Sequence, residues 1–131
     1  MALTIAAATA QAMGVALATN IGASATIEIR SGSKPSTPET TASGTLLATV
    51  AISGSFTSSG GVLTSADPAS VSPAAGGTAG HFRVKQSGGT AVTDGVVTAT
   101  GAGGDMTLGS TTITTGVNVD LGVPTITVPV A

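Results

Sequence analysis

Short runs that alternate apolar and polar residues, each closed by glycine, constrain this chain more than any other feature. Thr26-Ile27-Glu28-Ile29-Arg30 alternates strictly, and so does His81-Phe82-Arg83-Val84-Lys85. A period of two places successive side chains on opposite faces of a strand, so each run predicts a strand buried on one side. Ile27 and Ile29 are expected to point inward, as are Phe82 and Val84. The charged partners of both runs are expected to face outward. Ser87-Gly88-Gly89-Thr90 then predicts a turn, and a second extended arm begins at Ala91. This hairpin, within Gly80 to Gly95, is expected at the centre of a sheet.

The same rhythm recurs along the chain. Leu46, Ala48, Val50 and Ile52 form another inward row, from which Leu47 is expected to point away. A Gly60-Gly61 turn separates Phe56 from Val62-Leu63. In the second hairpin arm Val92 is apolar on even numbering, whereas Val97 and Ala99 are apolar on odd numbering. That change of phase predicts a β-bulge, placed at Asp94-Gly95 because glycine tolerates the required backbone. Further inward positions are Met106, Leu108, Ile113, Val117, Val119 and Leu121. The last run has Ile126, Val128 and Val130 inward, with Thr125 and Thr127 outward. The expected fold is mainly β, an antiparallel β-sandwich (jelly-roll-like) of roughly eight short strands with one N-terminal α-helix.

The helix is predicted from about Thr4 to Thr19, in an alanine-rich segment that Thr4 can cap. Ala6, Ala10, Met13, Leu17 and Ile21 make one narrow apolar stripe, and Asn20 with Gly22 supplies a left-handed stop. Met13, Leu17 and Ile21 are therefore expected to be buried against the sheet or another subunit. The segment has no basic residue before Arg30, unlike a secretory signal. The expected division is residues 1–22 as a helical arm and 23–131 as one β domain.

Two polar, proline-bearing loops interrupt the strands: Ser31 to Gly44 and Ser65 to Ala79. Both are long for a compact β domain, in which connections commonly run about 4–6 residues. Their prolines Pro35, Pro38, Pro68 and Pro73, together with Lys34, Leu47, Met13 and Leu17, are the candidate contact residues for neighbouring subunits.

Composition mostly excludes. Two aromatic residues, both phenylalanine, make a thin core, and association with other copies is a common remedy. Four Lys and Arg against six Asp and Glu leave no basic patch for nucleic acid. Cysteine is absent, which removes thiolate metal sites and thiol nucleophiles. No apolar run reaches the roughly 18 residues of a membrane span.

His81 is the only imidazole and is expected to be an exposed strand histidine. A hydrolase built on His81 and Asp94 is the weak enzymatic alternative. Asp67, Asp94, Asp105 and Asp120 are scattered through turns without calcium-loop spacing. Gly101-Ala102-Gly103-Gly104 lacks the Lys-Ser/Thr of a phosphate loop, and no G-x-S-x-G elbow is present. No catalytic residue, metal or cofactor is expected. Glu28 is expected within ion-pair reach of Arg83 or Lys85, on neighbouring strands.

The order of these segments carries a resemblance. IEIRSG (27–32) is followed by KPSTPETTASGTLLATVAIS (34–53), GTAGHFRVKQSGGTAVTDGVVTATG (77–101), DMTLGSTTITTGVNVDL (105–121) and a Thr/Val tail. The chain resembles a family of small structural proteins of tailed bacteriophages, most specifically in GTLLA (44–48), FRV (82–84) and the DMTL…ITTG run. That family has an aromatic residue in the first strand and acidic residues in the central turn, where this chain has Arg30-Ser31 and Gln86-Ser87.

The resemblance implies a virion component, made in the host cytoplasm and placed on the capsid surface as a decoration or cement protein. Its partners would be the major capsid protein and copies of itself, with a trimer favoured because it can match capsid three-fold positions. A neck, head-tail connector or tail component is the alternative within this class. A carbohydrate-binding module is the alternative outside it, although sugar platforms use Trp or Tyr and the chain has neither.

Overall fold

The computed structural model describes residues 4–127 and shows a mainly β protein with a single helix among those residues. The expected inward positions Val128 and Val130 lie outside the described residues. The helix is α1 (Ala7–Ile21), and the strands are β1 (Thr26–Ser31), β2 (Leu46–Ala51), β3 (Thr57–Ser59), β4 (Val62–Thr64), β5 (Gly77–Lys85), β6 (Ala91–Ala99), β7 (Met106–Leu108), β8 (Thr112–Ile113) and β9 (Thr125–Thr127). One sheet runs β2-β1-β5-β6-β7, with β8 paired to the start of β5. A second, small sheet runs β3-β4-β9.

Alternation decides the inner face of the large sheet. Ile27, Ile29, Ala48, Phe82, Val84 and Val97 meet Leu63 of the small sheet and Ala18 and Ile21 of the helix in one continuous core. Burying an aliphatic or Phe side chain of this size contributes about 1.5–3 kcal/mol. The few large residues at the centre therefore carry much of the stability.

Three irregularities in strand pairing set the side-chain directions. Ile29 pairs with Ala48 but Arg30 pairs with Leu46, so Leu47 is the extra residue of a bulge. It enters the core at 0% exposure instead of pointing away from it. Arg30 pairs with His81 but Ser31 pairs with Ala79, which leaves Gly80 as a second bulge. A side chain at Gly80 would overlap the Gly32 carbonyl. Val84 pairs with Thr93 and Lys85 with Ala91, which makes Val92 the third. The phase change expected in β6 exists, but it falls at Val92 and not at Asp94-Gly95. Gly95 serves another purpose, since a Cβ there would overlap the Phe82 ring.

The helix starts later and packs differently than expected. Its N-cap is Ala6, without a side-chain cap, so Thr4 does not start it. Gly22 does stop it, at φ 73°, donating its N–H to the Ala18 carbonyl. Ala10, Gly14, Ala18 and Ile21 are buried, while Leu17 is half-buried and Met13 is 41% exposed. The buried row is the small-residue face because the partner is the β3–β4 hairpin. Its Gly60-Gly61 turn has positive φ at both residues and brings backbone directly against Ala10. Gln11 fixes this contact, donating from Nε2 to the Ser58 carbonyl at 3.0 Å and accepting from the Gly60 N–H.

β6 and β7 run parallel, an exception to the expected antiparallel order. The glycine-rich segment 100–105 makes this possible by doubling back within a few residues. Gly101 and Gly103 hold positive φ, and Gly104 N–H donates to Thr98 Oγ1. The loop expected to run to Ala79 ends earlier, because β5 begins at Gly77. Val117, expected inside, is 61% exposed.

Candidate functional site

The outer face of the large sheet gathers five of the ten charged residues of the chain, and its one histidine. β1 contributes Glu28 and Arg30, β5 contributes His81, Arg83 and Lys85, and β6 contributes Asp94. Antiparallel register sets Glu28 beside Arg83 on one side and Arg83 beside Asp94 on the other. Glu28 Oε2 accepts from Lys85 Nζ at 3.0 Å, and Glu28 Oε1 accepts from Arg30 Nε at 3.0 Å. The expected link between Glu28 and the β5 cations is thus made through Lys85. Burial pushes the Glu28 carboxyl upward in pKa, but the bonds from Lys85 and Arg30 outweigh it and hold the group below its ordinary value.

Arg83 turns the other way and grips Asp94. Its Nε and Nη2 donate to the two carboxylate oxygens at 2.7 and 2.8 Å, with side chains only 5% and 3% exposed. Nη2 also donates to the Thr40 carbonyl at 2.8 Å. The bond to Asp94, opposed by burial, raises the Arg83 pKa. Asp94 is therefore the counter-ion of a buried arginine, neither a bulge residue nor a free carboxylate.

This face is outward-pointing but not open. The loop from Gly32 to Thr45 folds over it, tied by Arg83 to Thr40 and by the His81 ring Nδ1 to the Gly32 carbonyl at 3.1 Å. The loop is closed on itself at its base, where Ser31 N–H donates to the Thr45 carbonyl and Ser43 Oγ to the Ser33 carbonyl. His81, expected to be exposed, is completely buried, and its Nε2 has no partner among the described residues. Between this loop and the β5–β6 turn lies a cleft of about 430 Å³, lined by Arg30, Arg83, Lys85, Glu39 and the threonines Thr40, Thr41 and Thr90.

A second cleft has a volume of about 500 Å³. Met13 and Leu17 of α1, Phe82, Ile126 and Asp105 line it. Asp105 also accepts the Val96 N–H.

The candidate contact residues divide between surface and interior. Lys34 and Met13 are exposed, and Pro38, Pro73 and Leu17 are half-buried. Pro35, Pro68 and Leu47 are buried within the chain and offer no surface to a neighbour. The prolines pack inward because both loops lie on the body of the protein. The Leu47 carbonyl itself accepts N–H groups of Ala74 and Ala75 from the second loop.

Alternation alone could not reveal the Arg83–Asp94 pair or the role of the Thr40 carbonyl. The first depends on a bulge at Val92, and the second depends on the path of a long loop. The charge pattern was the available signal, since the two runs hold three of the four cations.

Among the described residues, no helix is long and apolar enough to cross a membrane, and no His, Cys, Asp and Glu side chains gather as a metal site. No protein-family model, curated protein or solved structure matches the chain.

Proposed function

We propose that this chain is a virion structural protein of a tailed bacteriophage, acting as a capsid decoration or cement protein across contacts between major capsid subunits. In this reading its two sheets form a jelly-roll-like sandwich that associates with copies of itself, as a trimer matched to capsid three-fold positions.

The observation that carries the proposal is the nature of the exterior. Three of the four cations are held in ion pairs on the covered sheet face. The surface left over is dominated by Ala, Gly, Ser and Thr, and Met13, Val15, Val62, Val96, Val117 and Val123 stand exposed on it. A small domain living free in solution typically carries charge on about 25–35% of its surface residues. A charge-poor, faintly apolar exterior suits permanent contact with neighbours, made by backbone groups and small side chains and insensitive to salt. The resemblance in segment order points the same way. No chemistry is required of such a protein.

The test is made on particles. Virions stripped of the protein and then challenged by heat or osmotic shock should lose their DNA more readily than intact ones. Stripped heads that hold their DNA equally well reject the cement role. Copy number separates the alternatives: hundreds per particle fit decoration, whereas about six or twelve at one vertex fit a neck ring.

A further inference from the structure

We infer that the cleft beneath the 38–42 loop is a binding site for one small oxyanion, a phosphate or a carboxylate. Three arginine and lysine side chains line it, and each has donors that the protein itself leaves unused. Arg83 decides the matter. Its Nε and Nη2 are consumed by Asp94 and Thr40, yet Nη1 makes no hydrogen bond among the described residues and is not sealed from solvent. A guanidinium buried this deeply therefore keeps one open nitrogen with two N–H donors, and Arg83 lines the cleft.

Arg30 adds to it. Only its Nε is engaged, by Glu28, so both terminal nitrogens are unused among the described residues. Lys85 donates once, also to Glu28. Thr40, Thr41 and Thr90 bring hydroxyls to the same walls.

The charge balance leaves room for one small anion at most, because Glu39 offsets the single net positive charge of the paired network. The paired network of Glu28, Asp94, Arg30, Arg83 and Lys85 holds three positive and two negative charges. Glu39 also lines the cleft, on its exposed loop, and makes no ion pair among the described residues. Its position beside the cations limits the site to a small anion and disfavours an extended polyanion. The planar donors of arginine suit the oxygens of a carboxylate or phosphate, and bonds to ionised acceptors are the strong ones. The inference does not depend on the proposed virion role. A free anion and a carboxylate from a protein partner are two sources of the same chemistry.

The experiment is a titration of the full chain, followed by NMR of the arginine side-chain N–H groups and backbone amides. Inorganic phosphate and acetate serve as probes, with sodium chloride at matched ionic strength as control. The expected result is a saturable shift of the Arg83 and Arg30 side-chain signals and of the Thr90 amide with at least one probe. Phosphate alone assigns a free anion, and acetate assigns a carboxylate. Arg30→Gln should weaken binding roughly tenfold or more, the equivalent of one hydrogen bond to a charged group. Lys34→Gln, on an exposed residue outside the cleft, should leave it unchanged.

Shifts that do not saturate, that chloride reproduces, or that persist undiminished in folded Arg30→Gln would overturn the assignment. Should that variant fail to fold, the side-chain titration of the unaltered protein decides alone.

Discussion

Replacing Asp94 by alanine tests the outer-face network at its deepest point. The substitution removes both acceptors of the Arg83 fork and leaves the guanidinium with the Thr40 carbonyl as its only partner. Because the two side chains are 5% and 3% exposed, solvent screening does little to reduce the cost. Breaking a buried pair on one side typically destabilises by about 3–5 kcal/mol, since the remaining charge is uncompensated. The lower end is expected here, because Arg83 Nη1 already opens on the cleft and water can reach it. A loss of about 3 kcal/mol is a large share of the roughly 5–15 kcal/mol that holds a domain together.

Urea unfolding followed by circular dichroism measures it. With a slope of about 1–3 kcal/mol per molar, the midpoint should fall by roughly 1–3 M. The companion variant Arg83→Met with Asp94→Leu removes both charges and should recover most of the loss, because an apolar pair of similar volume avoids desolvating ions. A single Asp94→Ala variant within about 1 kcal/mol of the parent would refute the reasoning, as would a double variant no better than the single.

Glu28 supplies a pH signature. Its folded pKa lies below its ordinary 4.5, so its contribution is present above that value and is lost as pH falls through the lowered folded value. Glu28→Gln should remove that part of the acid dependence in unfolding curves recorded from pH 6 downward. Gly14→Val should disturb the seat of the helix on the β3–β4 hairpin, because a Cβ there would overlap Ser58 Oγ and crowd Gly61. Overpacking of this kind costs about 1–3 kcal/mol, read as a lowered thermal midpoint. Deletion of residues 1–20 should lower it further by exposing Leu63 and Phe56, which share a core with Ala18 and Ile21. A truncated chain as stable as the full one would make the helix a passive extension.

Strand positions and the central hairpin were legible because a period of two records which side of a strand is buried. Ile27, Ile29, Phe82 and Val84 obey it, and the pairing of β1 with β5 followed from charge on matching faces. What a period cannot record is an inserted residue. Leu47, Gly80 and Val92 each sit where one strand carries a residue more than its partner, and alternation extrapolated through them reverses direction. Alternation points Leu47 to the surface for this reason alone. The helix failed differently. Large residues usually mark a buried stripe, but the close approach of Ser58 and Gly61 is met by Ala10 and Gly14. Side-chain size then misplaces Met13, although Ala10 and Ile21 of the expected stripe are buried.

The candidate site was hidden for a further reason, and it bears on the function. Charged residues alternating with apolar ones ordinarily mean a sheet face open to water. Here a loop of small polar residues and prolines lies over that face, and the backbone carbonyls of Gly32 and Thr40 bond to His81 and Arg83 beneath it. Local sequence gives no sign of such a cover, because carbonyls are common to all residues. Its effect is to pair and partly cover three of four cations, leaving an exterior mostly of threonine, serine, alanine and glycine with a few separate carboxylates. The charges thus act inward, fixing strand register and loop path through geometry that a few bidentate bonds specify well. The outer surface is left to make contacts in which salt has little to screen. Internal ionic pairing and an exterior with a single cation unpaired among the described residues, Lys34, are one design in this chain, and the loop between Gly32 and Thr45 is the element that couples them.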